Sequence, residues 1–255
     1  MPSRAQKTAA RVSASPYRHV LPNGITVMAL CFGLTSITYA AADRFVAAVA
    51  CILIAALLDG CDGRVARATN SASAFGSELD SLADVVSFGA APAFLLYMWG
   101  LGDVPVVGWF ACLCFLSASA LRLARFNVAS TDPDRPSWHA NYFTGVPTPA
   151  GACLSLSPVF LGYSELVTME NAVTFAAVIV PAVALLMVSN VPTFSAKSVS
   201  RKALHVFFLP TIFLAALFSF GVFGWPWITL SLMSGLYILT LPLSVISYRR
   251  RRRAV

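Results

Sequence analysis

The segment DGCDGRVAR, residues 59–67, is followed closely by a second polar segment that carries Asp80 and Asp84. Apolar runs flank this region, residues 45–58 before it and residues 85–101 after it. An ionised side chain beside a membrane-length apolar run is costly, so such residues are candidates for a functional site. The four aspartates of this region therefore constrain how the flanking helices must be arranged.

The composition is typical of an integral membrane protein. Hydrophobic residues make up 58% of the 255 residues, charged residues make up 11%, and the mean hydropathy is +0.74. Soluble domains are roughly 45–50% apolar. Apolar windows of about 20 residues predict an all-α bundle of about eight transmembrane helices. The predicted spans are residues 21–42, 45–66, 79–101, 104–126, 146–163, 172–191, 203–223 and 225–248.

The distribution of positive charge supports this topology. If the N-terminus is cytoplasmic, every Lys and Arg except Arg44 falls in a cytoplasmic segment, as the positive-inside rule expects. Both termini are therefore predicted to be cytoplasmic. The fifth span is the weakest of the set because Pro147, Pro149 and Pro158 interrupt it.

The spacing of the aspartates predicts a cation site. At about 100° per residue, Asp59 and Asp62 lie about 60° apart on a helix, and Asp80 and Asp84 about 40° apart, so each pair shares a face. Two antiparallel helices joined by a short link would bring the pairs together. Close carboxylates cannot all stay ionised unaided, and oxygen ligands select Mg²⁺ or Mn²⁺ over zinc. We expect one or two such ions.

Glycines and arginines in the same region predict that the site also binds a diphosphate. Gly60 and Gly63 would each cost about 1 kcal/mol relative to Ala inside a helix, which favours close approach of a ligand or of backbone. Arg64 and Arg67 supply positive charge, and a guanidinium group binds phosphate bidentately. The alternative, an ion network that only holds two helices together, explains neither the glycines nor the regular spacing.

The pattern D-x2-D-G-x2-A-R-x8-G-x3-D-x3-D, residues 59–84, matches in full the signature of the CDP-alcohol phosphotransferases, which the chain resembles. Residues 76–89, 122–127 and 145–151 are similar to the phosphatidylserine synthase branch of that family. The resemblance implies transfer of a phosphatidyl group from CDP-diacylglycerol to the hydroxyl of L-serine, with release of CMP. It also implies a homodimer in a bacterial inner membrane, with the active site open to the cytoplasm.

Carried over residue by residue, the resemblance implies two sets of site residues. The metal ligands would be Asp59, Asp62, Asp80 and Asp84, with Asp84 also acting as the general base. The CDP-lipid would be bound by Asn23, Thr26, Gly63, Ala66, Arg67, Ser73 and Gly76.

The acceptor pocket is predicted from the chemistry of serine. A zwitterion needs a cation for its carboxylate and acceptors for its amine. Arg122 or Arg125, together with Asn127, would meet this need near the cytoplasmic end of the fourth span.

Other functions are open at this point. Glycerol-3-phosphate or an inositol phosphate as acceptor would require a further basic cluster, for which Lys197, Arg201 and Lys202 are the candidates. A transporter or ion channel is a different class that also uses intramembrane carboxylates. A scaffold that has lost catalysis is disfavoured because the four aspartates are intact.

Residues 19–248 are interpreted as one membrane catalytic domain, with the family core near residues 19–190. Residues 1–18 are predicted to be a mobile basic arm, retained because they contain no apolar core of a signal peptide. Residues 249–255 form a basic tail. The basic ends suit anionic lipid headgroups, and no nucleic-acid partner is expected because the sequence contains no soluble domain.

Overall fold

The computed structural model describes residues 20–69, 71, 73–130, 142–194 and 224–252, and these residues are mostly helical. The chain divides into two compact units, Met1–Ala91 and Pro92–Val255. Six helices within the described ranges are long and apolar enough to cross a membrane, which confirms an all-α integral membrane protein. They are Val20–Ala41, Phe45–Ala68, Ala74–Trp99, Pro105–Ala129, Met169–Val188 and Pro226–Tyr248.

These six helices coincide with six of the predicted spans. The predicted fifth span instead forms two short helices, Thr148–Ser155 and Ser157–Tyr163. A proline lies in the first turn of each helix, where its missing N–H is tolerated, whereas the same residue inside a continuous helix would break it. The predicted span 203–223 and the arm 1–18 lie outside the described residues. The total of about eight spans and the cytoplasmic placement of both termini therefore stay predictions.

In the first unit, helices α1 (Val20–Ala41) and α2 (Phe45–Ala68) form an antiparallel pair. Asp43, with a φ of 58°, lies in the tight turn between them. Ser36 donates a hydrogen bond to the carbonyl of Ala48 at 2.9 Å across the pair. Small buried residues on both helices let the backbones approach closely, as is usual between helices in membranes.

The third helix of this unit is continuous but not uniformly α-helical. Helix α3 (Ala74–Asp84) continues through a π-helical turn, Val85–Ala90, into α4 (Ala91–Trp99). The π-helical turn packs on α1, where Ser87 donates to the carbonyl of Ala29 at 3.2 Å. A Cβ added at Gly33 would lie 2.4 Å from Ser87 Oγ and 2.7 Å from Ser87 Cα. This crossing therefore requires glycine and ties α1 to the helix that carries Asp80.

Among its described residues, the second unit contains α4 apart from Ala91, five further α-helices and a two-stranded sheet. The further helices are α5 (Pro105–Ser130), α6 (Thr148–Ser155), α7 (Ser157–Tyr163), α8 (Met169–Val188) and α9 (Pro226–Arg252), and the strands are β1 (Tyr142–Thr144) and β2 (Pro192–Phe194). The strands pair antiparallel with Phe143 opposite Thr193. This short sheet was not predicted from the sequence.

Helix α9 packs on α7 through aromatic contacts within the second unit. The ring of Trp227 stacks on Tyr163, with centroids 4.9 Å apart, and on Phe160 at 6.4 Å. Many large apolar side chains on the long helices are exposed, for example Leu185 and Leu239. Such apolar surfaces suit contact with lipid. The helical backbone is compatible with this contact because its hydrogen bonds are satisfied internally.

Candidate active site

Three carboxylates meet between the second and third helices of the first unit. One oxygen each of Asp59, Asp62 and Asp80 can be chosen so that all three lie within 4.8 Å of one another. Asp62 is buried, while Asp59 and Asp80 are half-buried. Like charges this close are unfavourable without a compensating cation. The structure thus brings Asp80, one member of the second predicted pair, close to both members of the first pair.

Asp84 is placed differently from the other three aspartates. It lies one turn beyond Asp80, is half-buried, and ends α3 where the π-helical turn begins. It does not belong to the group of three whose oxygens lie within 4.8 Å. Its predicted roles as a fourth ligand and as the general base stay predictions.

A cavity of about 240 Å³ adjoins this carboxylate group. Asp62 and Asp80 form part of its wall. All seven residues predicted to contact the CDP-lipid also line it: Asn23, Thr26, Gly63, Ala66, Arg67, Ser73 and Gly76. The structure thus brings together residues from all three helices of the first unit, although residues 23 and 76 are far apart in sequence.

The N-terminus of α3 forms one side of the cavity. Ser73 caps this helix by accepting a hydrogen bond from the backbone N–H of Gly76 at 3.0 Å. A helix N-terminus presents unpaired N–H groups and the positive end of the helix dipole, which attract phosphate. Arg67, an exposed residue in the last turn of α2, also lines the cavity. Two sources of positive potential therefore border the same space as the carboxylates.

The space around the three glycines of this region differs from one glycine to the next. A Cβ at Gly76 would lie 3.1 Å from Asn23 Oδ1 and 3.2 Å from Ser73 Oγ, so this position is tight. A Cβ at Gly63 would make only an ordinary contact with Arg67 at 3.5 Å. A Cβ at Gly60 would meet nothing within 4 Å. Close approach of backbone therefore does not explain Gly60.

Sequence reasoning missed several members of the cavity wall. Pro22, Ser71 and Ser77 line it as well. Ser77 lies one helical turn after the N-cap residue Ser73, so helical periodicity could have identified it as a neighbour of Ser73. The contact between Thr26 and Asp62, in which the Thr26 hydroxyl lies 2.6 Å from Asp62 Oδ2, joins two helices and has no local sequence signal.

The predicted acceptor residues lie on α5 in the second unit. Arg122 is buried and donates to the hydroxyl of Thr148, and its guanidinium lies 5.8 Å from the Phe126 ring. Asn127 is half-buried. The structure thus places Arg122 and Asn127 on one helix.

The third predicted acceptor residue, Arg125, is engaged with main-chain oxygens around the end of α8. Its Nη1 donates to the carbonyl of Val188 at 2.7 Å and to Asn190 Oδ1 at 3.2 Å. Its Nη2 lies within 3.3 Å of the carbonyls of Thr144, Met187 and Ser189. A guanidinium at a helix C-terminus satisfies exposed carbonyls. The contacts of Arg125 therefore describe an anchor for α8 and β1.

Comparisons with known proteins identify a family. A model of the CDP-alcohol phosphatidyltransferase family matches residues 19–188. The Mycobacterium leprae protein named CDP-diacylglycerol–serine O-phosphatidyltransferase is 35% identical over 236 residues, which cover 90% of this chain and 76% of the relative.

Proteins of the same name from other bacteria are also similar. The Mycobacterium bovis protein is 38% identical over 78% of this chain, and that alignment spans 66% of the relative, slightly under two thirds of its length. The Helicobacter pylori (strain 26695) protein is 36% identical over 87% of this chain and 89% of the relative. Because the family match spans more than half of the sequence, this chain belongs to the CDP-alcohol phosphatidyltransferase family.

Proposed function

We propose that this chain transfers a phosphatidyl group from CDP-diacylglycerol to the hydroxyl of L-serine, yielding phosphatidylserine and CMP. The observation that carries the proposal is the meeting of Asp59, Asp62 and Asp80 beside a cavity lined by Arg67 and the N-terminus of α3. Relatives that align over most of this chain carry the name of this activity. The family supplies the reaction class, and these relatives support serine as the acceptor.

The carboxylate group fits a hard divalent ion. Oxygens bound to Mg²⁺ lie about 2.1 Å from it, so two ligands of one ion are at most about 4.2 Å apart. The 4.8 Å limit for the three oxygens is close to this value. We propose one or two Mg²⁺ or Mn²⁺ ions held by Asp59, Asp62 and Asp80, with Asp84 as a further ligand. When bound, the metal supplies Lewis-acid polarisation and charge neutralisation at the phosphoryl oxygens.

The cavity residues would hold the diphosphate of the CDP-lipid. Arg67 can form a charge-assisted, bidentate hydrogen-bond pair with a phosphate. The first turn of α3 offers backbone N–H groups to the same anion. The side chain of Asn23 lies close to the Cα of Gly76 in the cavity wall. The two residues therefore limit the space beside them. These groups would orient the phosphorus that undergoes attack.

We propose a direct displacement at that phosphorus. Asp84 takes the proton of the serine hydroxyl, the serine oxygen forms a bond to phosphorus, and the bond from phosphorus to the CMP oxygen breaks. Detection of a labelled lipid covalently attached to the protein would contradict a single displacement and favour a covalent intermediate.

Recognition of the acceptor is proposed for Arg122, Arg125 and Asn127. Arg125 is the least available of the three, because Val188, Asn190 and other oxygens occupy its terminal N–H groups. A role in serine binding would raise the KM for serine in an Arg125→Ala variant much more than the KM for CDP-diacylglycerol. Equal changes in the two KM values would remove Arg125 from the acceptor pocket.

The cellular setting follows from charge and resemblance. The positive charges of the sequence favour cytoplasmic termini, and the resemblance implies a homodimer with a cytoplasm-facing site. We therefore propose a homodimeric enzyme of a bacterial inner membrane that draws its lipid substrate from the bilayer and serine from the cytoplasm.

A panel of acceptors tests the proposed function. Purified protein would receive CDP-diacylglycerol, Mg²⁺ or Mn²⁺, and labelled serine, glycerol-3-phosphate or an inositol phosphate, and the lipid products would be separated. We expect phosphatidylserine, and we expect EDTA or Asp59→Asn to abolish it. Asp43→Asn is the matched control, because Asp43 lies in the turn before α2 and Asn also tolerates its positive φ. Product from another alcohol but none from serine would overturn the acceptor assignment.

A further inference from the structure

A buried hydrogen bond links α1 to the carboxylate group. Thr26 Oγ1 lies 2.6 Å from Asp62 Oδ2 and 3.1 Å from the carbonyl oxygen of Pro22. Thr26 is 5% exposed and Asp62 is 6% exposed. A hydroxyl has a single proton, and hydrogen bonds to an ionised acceptor are shorter and stronger than those between neutral groups. The short contact therefore identifies Asp62 as the principal acceptor.

This bond restrains one of the three carboxylates that meet at the proposed metal site. Asp62 is the buried member of that group, and Thr26 donates to it from a different helix. Partners outside the ligand sphere orient metal ligands, and their loss typically weakens metal affinity about 10- to 100-fold. A free carboxylate could rotate about its terminal torsion, which has broad energy wells.

We infer that Thr26 is a positioning residue for Asp62. Its hydroxyl holds the Asp62 carboxylate in the orientation in which it meets Asp59 and Asp80, and so sets the affinity for the divalent ion. The inference rests on the proposed function only in that it takes the three carboxylates to be metal ligands. It differs from the role that the family resemblance implies for Thr26, which is contact with the nucleotide-lipid headgroup.

The same helix provides a matched control. Thr35 donates to the carbonyl of Cys31, four residues earlier, at 2.7 Å, in the way that Thr26 approaches Pro22. Thr35 is exposed and lies about 14 Å further along the helix axis. Replacing either threonine by valine removes the same hydroxyl with little change in shape, but only one replacement removes a donor to Asp62.

A direct measurement of metal binding distinguishes a role of Thr26 in positioning Asp62 from a role in contacting the nucleotide-lipid headgroup. The full chain would be purified without CDP-lipid and titrated with Mn²⁺, and free Mn²⁺ would be followed by electron paramagnetic resonance. We expect Thr26→Val to weaken Mn²⁺ binding about 10- to 100-fold. Thr26→Ser, which keeps the hydroxyl, should bind within about threefold of wild type, and Thr35→Val should match wild type. Thr26→Ala provides a second variant without the hydroxyl if Thr26→Val does not fold.

Kinetics then complete the test. If Thr26→Val bound Mn²⁺ as wild type does and showed only a raised KM for CDP-diacylglycerol, Thr26 would be a substrate contact and the inference would be overturned. Weakened Mn²⁺ binding in a protein whose wild type accepts no alcohol would support the inference while the proposed function failed. Serine transfer by wild type, together with unchanged Mn²⁺ affinity in Thr26→Val, would support the proposed function and overturn the inference. Absence of Mn²⁺ binding by wild type would overturn both.

Discussion

The carboxylates of the first unit and Arg125 of the second unit are both charged groups near the ends of apolar helices, but they are stabilised in different ways. One oxygen each of Asp59, Asp62 and Asp80 lies within 4.8 Å of the other two, although ionised carboxylates repel one another. The guanidinium of Arg125 is instead surrounded by neutral oxygens of its own unit, such as the carbonyl of Val188. A cluster of like charges needs an external partner, whereas an arginine near a helix C-terminus can be satisfied by the fold.

The largest expected effect comes from removing one charge of the carboxylate group. Losing a hydrogen-bond partner of a metal ligand costs up to about 100-fold. Asp62→Asn changes a proposed ligand itself, so it should lower the turnover number by more than that. In metal-free buffer the same variant should be at least as stable as wild type, because repulsion with Asp59 and Asp80 is relieved. Initial rates of CMP release and melting temperatures measure the two effects. A large loss of metal-free stability would instead indicate a structural ion network.

Arg67 tests whether the cavity holds a diphosphate. Arg67→Gln should raise the KM for CDP-diacylglycerol about 10- to 100-fold, since hydrogen bonds to charged groups contribute about 1.5–3 kcal/mol. Arg44→Gln is the control, because Arg44 lies over the Tyr39 ring in the turn at the other end of α2. Unchanged KM in Arg67→Gln would show that the phosphates bind elsewhere.

The crossing of α1 and the π-helical turn should be sensitive to one methyl group. Gly33→Ala places a Cβ against Ser87, and overpacking of this kind costs about 1–3 kcal/mol. We expect a lower melting temperature and a lower turnover number, because the helix that carries Asp80 must shift. Gly24→Ala is the control, since a Cβ at Gly24 meets nothing within 4 Å. Equal melting temperatures and turnover numbers in the two variants would contradict the close packing of Gly33 against Ser87.

Arg125 provides the opposite case to the carboxylates. Arg125→Gln should reduce stability by about 1.5 kcal/mol, the lower end of the range for charge-assisted bonds, because the side chain is partly exposed. If Arg125 is only an anchor, the KM for both substrates should change little in the folded fraction. Arg125→Lys keeps the charge but loses the planar fork, so it should recover only part of the stability. A selective rise in the KM for serine would restore the acceptor role.

The smallest effect is expected at Gly60. Alanine at this position should stabilise α2 by up to about 1 kcal/mol, because glycine is a poor helix former and the added Cβ meets no atom within 4 Å. Activity should be unchanged. A raised KM for CDP-diacylglycerol in Gly60→Ala would mean that the substrate approaches α2 at this residue.

The features that the sequence predicted well are those governed by local periodicity. Apolar length identified six helices that the structure contains, and the spacing of Asp59 and Asp62 placed both on one helix face. Seven of the residues that line the cavity were predicted through the family resemblance, and the structure brings them together. Their chemical roles stay proposals.

The features that the sequence did not predict depend on contacts between distant segments. The π-helical turn forms where Ser87 meets Gly33 and Ala29 of another helix. The strands pair residues such as Phe143 and Thr193, and the oxygens around Arg125 belong mainly to the end of α8. Prolines 149 and 158 were recognised as weak points of the fifth span, but their effect, two short helices, required the structure.

The most direct test of phosphatidyl transfer to serine follows both halves of one substrate. CDP-diacylglycerol labelled in its cytidine and in its glycerol backbone would be supplied to the purified protein in vesicles with Mg²⁺ and serine. We predict that the cytidine label appears in CMP and the glycerol label in phosphatidylserine in equal amounts, and that neither forms without serine. Movement of intact substrate across the vesicle membrane without CMP release would contradict the proposed reaction and indicate a transporter.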